Sequence, residues 1–256
     1  MKMNEPLDVA MDTAGIARIT INRPKRANAF DPPLAAAMLE ALDWLANDPK
    51  LRVLVLLGSG RTFCAGLDLK ALPATMAAPF EENYADALKF ARLLRRLNTM
   101  PVPTLAVVPG AAIGLGVGLV ACCDIALASE AASFRLPEVR IGILPAIISP
   151  YVIAAMGARA CQRYFLSAET FSAAEAHRLG LIQMVSSLDN LGEEAGKIVG
   201  ELLAGKREAQ RACKELIAHV RLSPLDDVLI EDTARRLAEI RATEQARNAV
   251  QEALIR

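Results

Sequence analysis

The order of short apolar runs and longer stretches of helical periodicity is the feature that most constrains the fold of this chain. Ile16–Ile21 alternates polar and apolar residues, as a half-buried strand does, whereas residues 53–57 are apolar throughout. A short continuous apolar run is typical of a strand buried on both faces. Thr104–Val108 predicts another strand, and helices are predicted over residues 31–47 and 81–98. This alternation predicts an α/β fold.

Beyond about residue 188 the predicted helices follow one another without strands, over residues 189–203, 206–220, 223–240 and 243–255. Ser223 followed by Pro224 indicates a capping residue and the first position of the third of these helices. We therefore expect a core over residues 1–190 and a helical region over residues 191–256. The apolar face of the third helix can pack on this core or on a neighbouring subunit.

The charge balance limits the partners that the chain can attract. Lys plus Arg and Asp plus Glu both number 29, so the formal net charge of the 256 residues is +0. Nucleic-acid backbones are bound by clustered Lys and Arg, so we expect no nucleic-acid partner. The longest apolar run, around residues 110–121, is rich in glycine and too short to cross a bilayer. We therefore expect no membrane partner.

The cysteines and histidines bear on location and on metal chemistry. The five cysteines are odd in number and form no Cys-x-x-Cys, and the first residues lead into no apolar segment of a signal peptide. These features favour reduced thiols and a cytoplasmic location. His177 and His219 are too few and too far apart to indicate a metal site, so we expect no metal and place both on helix surfaces.

Two loops follow predicted strands and contain small residues. Residues 61–70, with Ala65 and Gly66, are expected to open a short helix, and residues 110–118 are expected to open a buried one. The second loop lacks the final glycine spacing and the later acidic residue of a dinucleotide fingerprint. Taken singly, the loops can be a plain turn and a close packing of glycines. Taken together, they offer two free amides that could donate to one oxygen and stabilise an oxyanion.

Glu138 lies in the otherwise apolar segment 134–145, directly after Pro137. A carboxyl group in apolar surroundings has a raised pKa and can exchange protons with a substrate. The alternative is a structural role, either as a partner of Arg140 or as an acid at a helix start.

These segments, in this order, resemble the crotonase (enoyl-CoA hydratase/isomerase) family. The similarity extends over essentially the whole chain and is most specific in residues 63–70 and 123–128, followed by Pro137-Glu138, with further matches in residues 21–30 and 171–182. The resemblance implies a spiral of repeated strand-strand-helix units with a C-terminal helical region. It also implies a homotrimer or hexamer, an acyl-CoA thioester substrate, and no permanently bound cofactor, with coenzyme A present as part of the substrate.

The resemblance also assigns roles by position. The amides of Leu67 and Leu115 would form the oxyanion hole for the thioester carbonyl, and Glu138 would be the acid–base group. The implied coenzyme A contacts are main-chain groups and cations at the matching positions: Lys25, Arg26, Ala27, Ala29, Ala65, Gly66, Asp68, Leu69 and Lys70.

The chain departs from the two-carboxylate hydratases of this family, which carry a second glutamate at the position of Gly118. Hydration therefore requires Glu138 both to orient the water and to supply the proton. Two alternatives are a Δ3,Δ2-enoyl-CoA isomerase, which needs one base, and a catalytically silent acyl-CoA-binding or interaction protein. Residues 137–150, with Gly118 and Cys122-Cys123-Asp124, resemble a bacterial subgroup that hydrates branched enoyl-CoAs, including methylglutaconyl-CoA hydratase-like proteins, and this resemblance favours hydration.

Overall fold

The structure is a computed structural model that describes residues 6–255. Its strands are β1 (Leu7–Met11), β2 (Ile16–Ile21), β3 (Val53–Gly58), β4 (Thr104–Val108), β5 (Ala112–Ile113), β6 (Ile125–Ser129), β7 (Ser133–Arg135), β8 (Thr170–Ser172) and β9 (Met184–Ser186). Its helices are α1 (Pro32–Ala46), α2 (Leu72–Ala77), α3 (Phe80–Asn98), α4 (Leu115–Cys122), α5 (Ser149–Met156), α6 (Ala158–Ser167), α7 (Ala173–Arg178), α8 (Leu191–Ala204), α9 (Arg207–Val220), α10 (Asp227–Arg241) and α11 (Glu244–Ile255). Short 3-10 turns occupy Pro24–Arg26 and Glu138–Ile141.

The nine strands of the described chain form two sheets. The larger sheet has the order β1-β2-β3-β4-β6-β9, and all of its pairs are parallel except β1 with β2. The smaller sheet has the order β5-β7-β8. The chain passes from β4 in the large sheet to β5 in the small one and then into α4, and β6 and β7 repeat this step. The predicted strand-strand-helix spiral is therefore confirmed.

Strand β3 is apolar throughout because each of its two faces contributes to a different core cluster. In β3, Leu54 and Leu56 pack in the cluster that α1 and α3 cover, whereas Val53 and Val55 pack in a second cluster beneath α8. Successive side chains of a strand point to opposite faces, so a strand with helices on both sides has no polar position. The start of α1 is also as predicted, since Asp31 accepts a hydrogen bond from the Leu34 amide at 3.0 Å.

The C-terminal helices are joined to the core mainly through α8 and α9. Lys214 of α9 donates to Asp124 (2.6 Å) and to the carbonyl of Val102 (3.0 Å). The predicted helix start at Ser223 is wrong: α10 begins at Asp227, because the carboxylate of Asp226 accepts from the Leu229 amide and residues 223–226 form a turn. Within residues 6–255, no helix is both long enough and apolar enough to span a bilayer.

Candidate active site

The amide of Leu67 is left free by the way its loop pairs with the segment before α1. Phe30 donates to the carbonyl of Gly66 (2.8 Å) and accepts from the amide of Asp68 (2.7 Å), which makes a single parallel bridge between Phe30 and Leu67. In such a bridge the neighbours of Leu67 use the groups that face Phe30, and the N–H of Leu67 points to the other side. A short helix follows this loop, as predicted, but α2 begins only at Leu72, so the amide of Leu67 does not lie at its start.

The amide of Leu115 is free for a different reason. Leu115 is the first residue of α4, and the first N–H groups of a helix have no partner within it. The turn before it is fixed on both sides. The amide of Ile113 donates to the carbonyl of Cys64 (2.9 Å), and the amide of Gly114 donates to the carbonyl of Arg135 (2.9 Å). The predicted opening of a buried helix by the second loop is confirmed.

The two loops meet at Gly66 and Leu115. A Cβ atom added to Gly66 would lie 3.6 Å from the nitrogen of Leu115 and 2.8 Å from the carbonyl oxygen of Ile113. Gly66 also has a φ of +90°, which side chains strongly disfavour, so no other residue fits here. From standard bond lengths, the nitrogens of Leu67 and Leu115 lie within about 7 Å of each other. Two donors at about 3 Å from a shared oxygen lie within about 6 Å, so this bound is compatible with one oxyanion.

The carboxyl group of Glu138 lies against the same turn. A Cβ added to Gly114, the residue before Leu115, would lie 2.8 Å from Oε1 of Glu138. Oε2 of Glu138 is buried and has no hydrogen-bond partner within the part of the chain that the structure describes. Burial raises the pKa of this carboxyl above its usual value. The structure thus brings Glu138 beside Leu115, with one carboxyl oxygen that has no partner in the described chain.

Position 118, to which the family resemblance assigns a second glutamate, has no space for a side chain. Gly118 lies on α4, and a Cβ added there would be 2.3 Å from Cγ2 and 2.8 Å from Cβ of Ile148. Ile148 is itself fully buried beside α5, within the main core cluster. The space beside Gly118 is taken by packing between α4 and the segment before α5, so no carboxyl can enter from this position without displacing that segment.

We expect Gly118→Ala to lower the free energy of unfolding by about 1–3 kcal/mol, because the added methyl overlaps Ile148. Chemical denaturation of the wild type and the variant measures the change. The double variant Gly118→Ala/Ile148→Ala should lose less unfolding free energy than the sum of the losses of the two single variants, because Ile148→Ala removes part of the overlap. Strict additivity of the two losses would show that position 118 has room.

Ion pairs around the buried Asp68 hold the first loop in place, and one of their members, Arg23, was not predicted to have a role. Arg23 donates to the carbonyl of Ala29 (2.8 Å) and pairs with Asp31 (2.9 Å) and Asp68 (3.4 Å). Asp68, which is only 7% exposed, also pairs with Arg26 at 2.8 Å. The Lys70 amide, followed by the guanidinium of Arg26, lowers the pKa of Asp68. Asp68 therefore fixes the residue next to Leu67, and its contact with coenzyme A stays a prediction.

Among the other residues predicted to contact coenzyme A, some main-chain groups form hydrogen bonds within the protein and others form none. The amide of Ala27 donates to Pro24 (3.1 Å), its carbonyl accepts from Ala65 (3.0 Å), and Ala29 donates to Arg26 (3.0 Å). The carbonyl of Ala65 and the amide of Leu69 have no hydrogen bond in the described chain. The cations Lys25, Arg26 and Lys70 are exposed, and Arg26 and Lys70 flank Asp68.

A cavity of about 420 Å³ opens beside Leu67, between α2, α3 and the segment that leads to Ile148. Phe30, Leu72, Phe90 and Ile147 contribute to its mainly apolar wall. An apolar cavity of a few hundred Å³ with a few polar groups at one end is the usual form of a small-molecule site. Its place next to the free amide of Leu67 suits the acyl part of a thioester.

Comparisons with known proteins agree with this geometry. The family model described as "Enoyl-CoA hydratase/isomerase" matches residues 11–252. A crystal structure of an enoyl-CoA hydratase from Shewanella pealeana ATCC 700345 superposes with a TM-score of 0.94 at 35% identity, covering 98% of this chain and 93% of that one. A mevalonyl-coenzyme A hydratase of Aspergillus fumigatus is 33% identical over 81% of this chain and 76% of its own length. A 4-chlorobenzoyl coenzyme A dehalogenase of Arthrobacter sp is 32% identical over 80% of this chain and 75% of its own length.

These relatives are named for different reactions, although their identities to this chain are nearly the same. Similarity therefore establishes the family, and the reaction has to be argued from the site. The fold, the paired loops and the family match over almost the whole sequence agree. This chain belongs to the enoyl-CoA hydratase/isomerase family, the crotonases.

Proposed function

We propose that this protein is an enoyl-CoA hydratase in which Glu138 is the only acid–base side chain. The observation that carries the proposal is the buried and unpartnered Oε2 of Glu138, next to the turn that presents the Leu115 amide. The proposal requires a water molecule or a substrate carbon to reach this carboxyl when the substrate binds, whereas position 118 is filled by Ile148. The names of similar proteins, including two hydratases, support the same reaction class.

In the proposed reaction the thioester oxygen accepts hydrogen bonds from Leu67 and Leu115. These bonds draw electron density from the double bond and make C3 electrophilic. The carboxylate of Glu138 takes a proton from water while the water oxygen bonds to C3, and the resulting enolate places its charge on the thioester oxygen. Glu138 then gives that proton to C2. One O–H bond and the π bond break, one C–O and one C–H bond form, and the carboxylate is restored.

A Δ3,Δ2-enoyl-CoA isomerase is the second candidate. Glu138 favours it because this reaction needs a single acid–base group. Glu138 would remove a proton from C2 of a 3-enoyl thioester and return it at C4 of the same dienolate. The amides of Leu67 and Leu115 would stabilise this dienolate as they would the enolate of the hydration reaction.

Mass spectrometry of products from a panel of straight and branched enoyl-CoAs separates the two reactions. Hydration predicts a gain of water from 2-enoyl-CoAs. Isomerisation predicts deuterium incorporation and a shifted double bond from a 3-enoyl-CoA in D₂O, with no 3-hydroxy product. Tight binding of crotonyl-CoA without turnover of any substrate in the panel would contradict both and support a silent acyl-CoA binder.

The pH dependence of kcat/KM should report the raised pKa of Glu138. The reaction begins with the carboxylate, and burial favours the protonated form. Activity should therefore be present above the raised pKa and fall as the pH drops through it, with a midpoint above that of an ordinary glutamate. A pH–rate series in buffers of constant ionic strength measures this midpoint. A midpoint at or below the ordinary value would contradict the role of the buried carboxyl.

We also propose that the protein assembles into a trimer or hexamer through its C-terminal region. The support is a set of large apolar side chains that this region leaves exposed: Ile217, Leu222, Leu225, Val228 and Ile230. An exposed apolar surface of this kind is typical of an interface. Light scattering during size-exclusion chromatography should give three or six times the mass of the chain, and a monomer would contradict the proposal.

A further inference from the structure

The walls of the acyl cavity carry negative charge without a positive counterpart among the side chains that line it. Its charged side chains are the carboxylates of Asp68 and Asp86, and its remaining polar ones are Thr75 and Asn83. No Lys, Arg or His lines it within the described chain. The other lining residues are apolar.

The two carboxylates differ in how well they are neutralised. Asp68 pairs with both Arg23 and Arg26, so two cations that do not line the cavity neutralise its charge. Asp86 has Lys89 as its cation, at 3.6 Å, and the Lys89 side chain is 53% exposed whereas that of Asp86 is 18% exposed. A pair of this length with one solvated partner is weak. Asp86 therefore presents a poorly compensated negative charge to the cavity.

Helix α3 gives Asp86 a fixed position in the wall. Asn83, Asp86 and Phe90 lie three and four residues apart, which places them on one face of the helix, and all three line the cavity. The arginines that could receive a distal carboxylate are elsewhere, since Arg92 and Arg140 are exposed and outside the lining. A second acidic group on the acyl chain would enter an apolar space and face Asp86 without a partner.

We propose that this site takes acyl chains without charge and that Asp86 excludes chains ending in a carboxylate. The inference rests on the proposed function, because it assigns the cavity to the acyl group of the thioester. It removes methylglutaconyl-CoA and similar dicarboxylic thioesters from the substrate class and leaves aliphatic 2-enoyl-CoAs. Discrimination comes from burying an unpaired charge and from like-charge repulsion.

The test compares the dissociation constants of two saturated thioesters with equal numbers of acyl carbons, hexanoyl-CoA and adipyl-CoA, by calorimetry. We expect hexanoyl-CoA to bind at least roughly tenfold more tightly than adipyl-CoA. The variant Asp86→Asn should reduce this ratio by about three- to tenfold, because it removes the charge and keeps the size. The control is Glu81→Gln, an exposed acid of the same helix outside the cavity, which should leave the ratio unchanged.

Turnover of 2-hexenoyl-CoA by the same preparations keeps this inference separate from the proposed function. Preferential binding of hexanoyl-CoA with no turnover would support the inference and contradict the hydratase. Equal or tighter binding of adipyl-CoA, or a ratio that Glu81→Gln changes as much as Asp86→Asn, would overturn the inference while leaving hydration intact. Failure of both thioesters to bind would overturn both.

Discussion

Replacing Glu138 with glutamine is expected to lower kcat for enoyl-CoA hydration by about 10²–10⁴-fold, with the fold and the affinity for a saturated acyl-CoA retained. The substitution keeps the shape of the side chain and removes the group that moves the proton. Oε2 has no protein partner in the described chain, so no internal ion pair or hydrogen bond is lost with it. Steady-state kinetics with the best substrate of the panel measures the effect, and circular dichroism checks the fold.

A matched control for this variant is Glu40→Gln, which removes one exposed acid on α1 away from the site. Its kcat should stay close to that of the wild type. Wild-type turnover by Glu138→Gln would mean that Glu138 carries no proton. An equal loss of turnover in Glu40→Gln would mean that the effect is not specific to the site.

Removing the N–H of Leu115 should have the second large effect. Proline is accepted at the first position of a helix because its missing N–H has no partner there, and Leu115 holds that position in α4. Leu115→Pro therefore deletes one of the two proposed donors without breaking the hydrogen bonds of the helix. Losing one donor of an oxyanion hole typically costs about 2.7–4 kcal/mol of barrier, so kcat should fall by about 10²–10³-fold.

The variant Leu115→Ala is the control, since both changes remove the same buried side chain but only proline replaces the amide hydrogen with a ring carbon. We expect Leu115→Pro to be about 10²–10³-fold slower than Leu115→Ala, with similar thermal unfolding midpoints. Equal kcat values for the two variants would remove the Leu115 amide from the mechanism.

Local signals were sufficient for much of the fold. Asp31-Pro32 predicted the start of α1, and the apolar run at residues 53–57 predicted a buried strand, because capping and burial act over a few residues. Ser223-Pro224 predicted a wrong helix start, because a second capping residue, Asp226, lies three positions later. The carboxylate of Asp226 accepts a hydrogen bond from the Leu229 amide. Choosing between two adjacent caps depends on packing that the local sequence does not contain.

The candidate site depended more on contacts between distant segments. The sequence indicated that Gly118 has no side chain, but only the fold brings Ile148 into the space beside it. The free amide of Leu67 was predicted for the wrong reason, because its bridge partner Phe30 lies in another segment of the chain. The role of Arg23 was missed because its partners, Asp31 and Asp68, are brought together only by folding.

The most direct test of the account is a crystal structure of the protein with bound hexanoyl-CoA, which cannot be hydrated. We predict that the thioester oxygen accepts from the nitrogens of both Leu67 and Leu115 at about 2.7–3.1 Å, with C2 facing the carboxyl of Glu138. A thioester oxygen that contacts neither nitrogen, or a Glu138 carboxyl on the far side of the acyl chain, would contradict it.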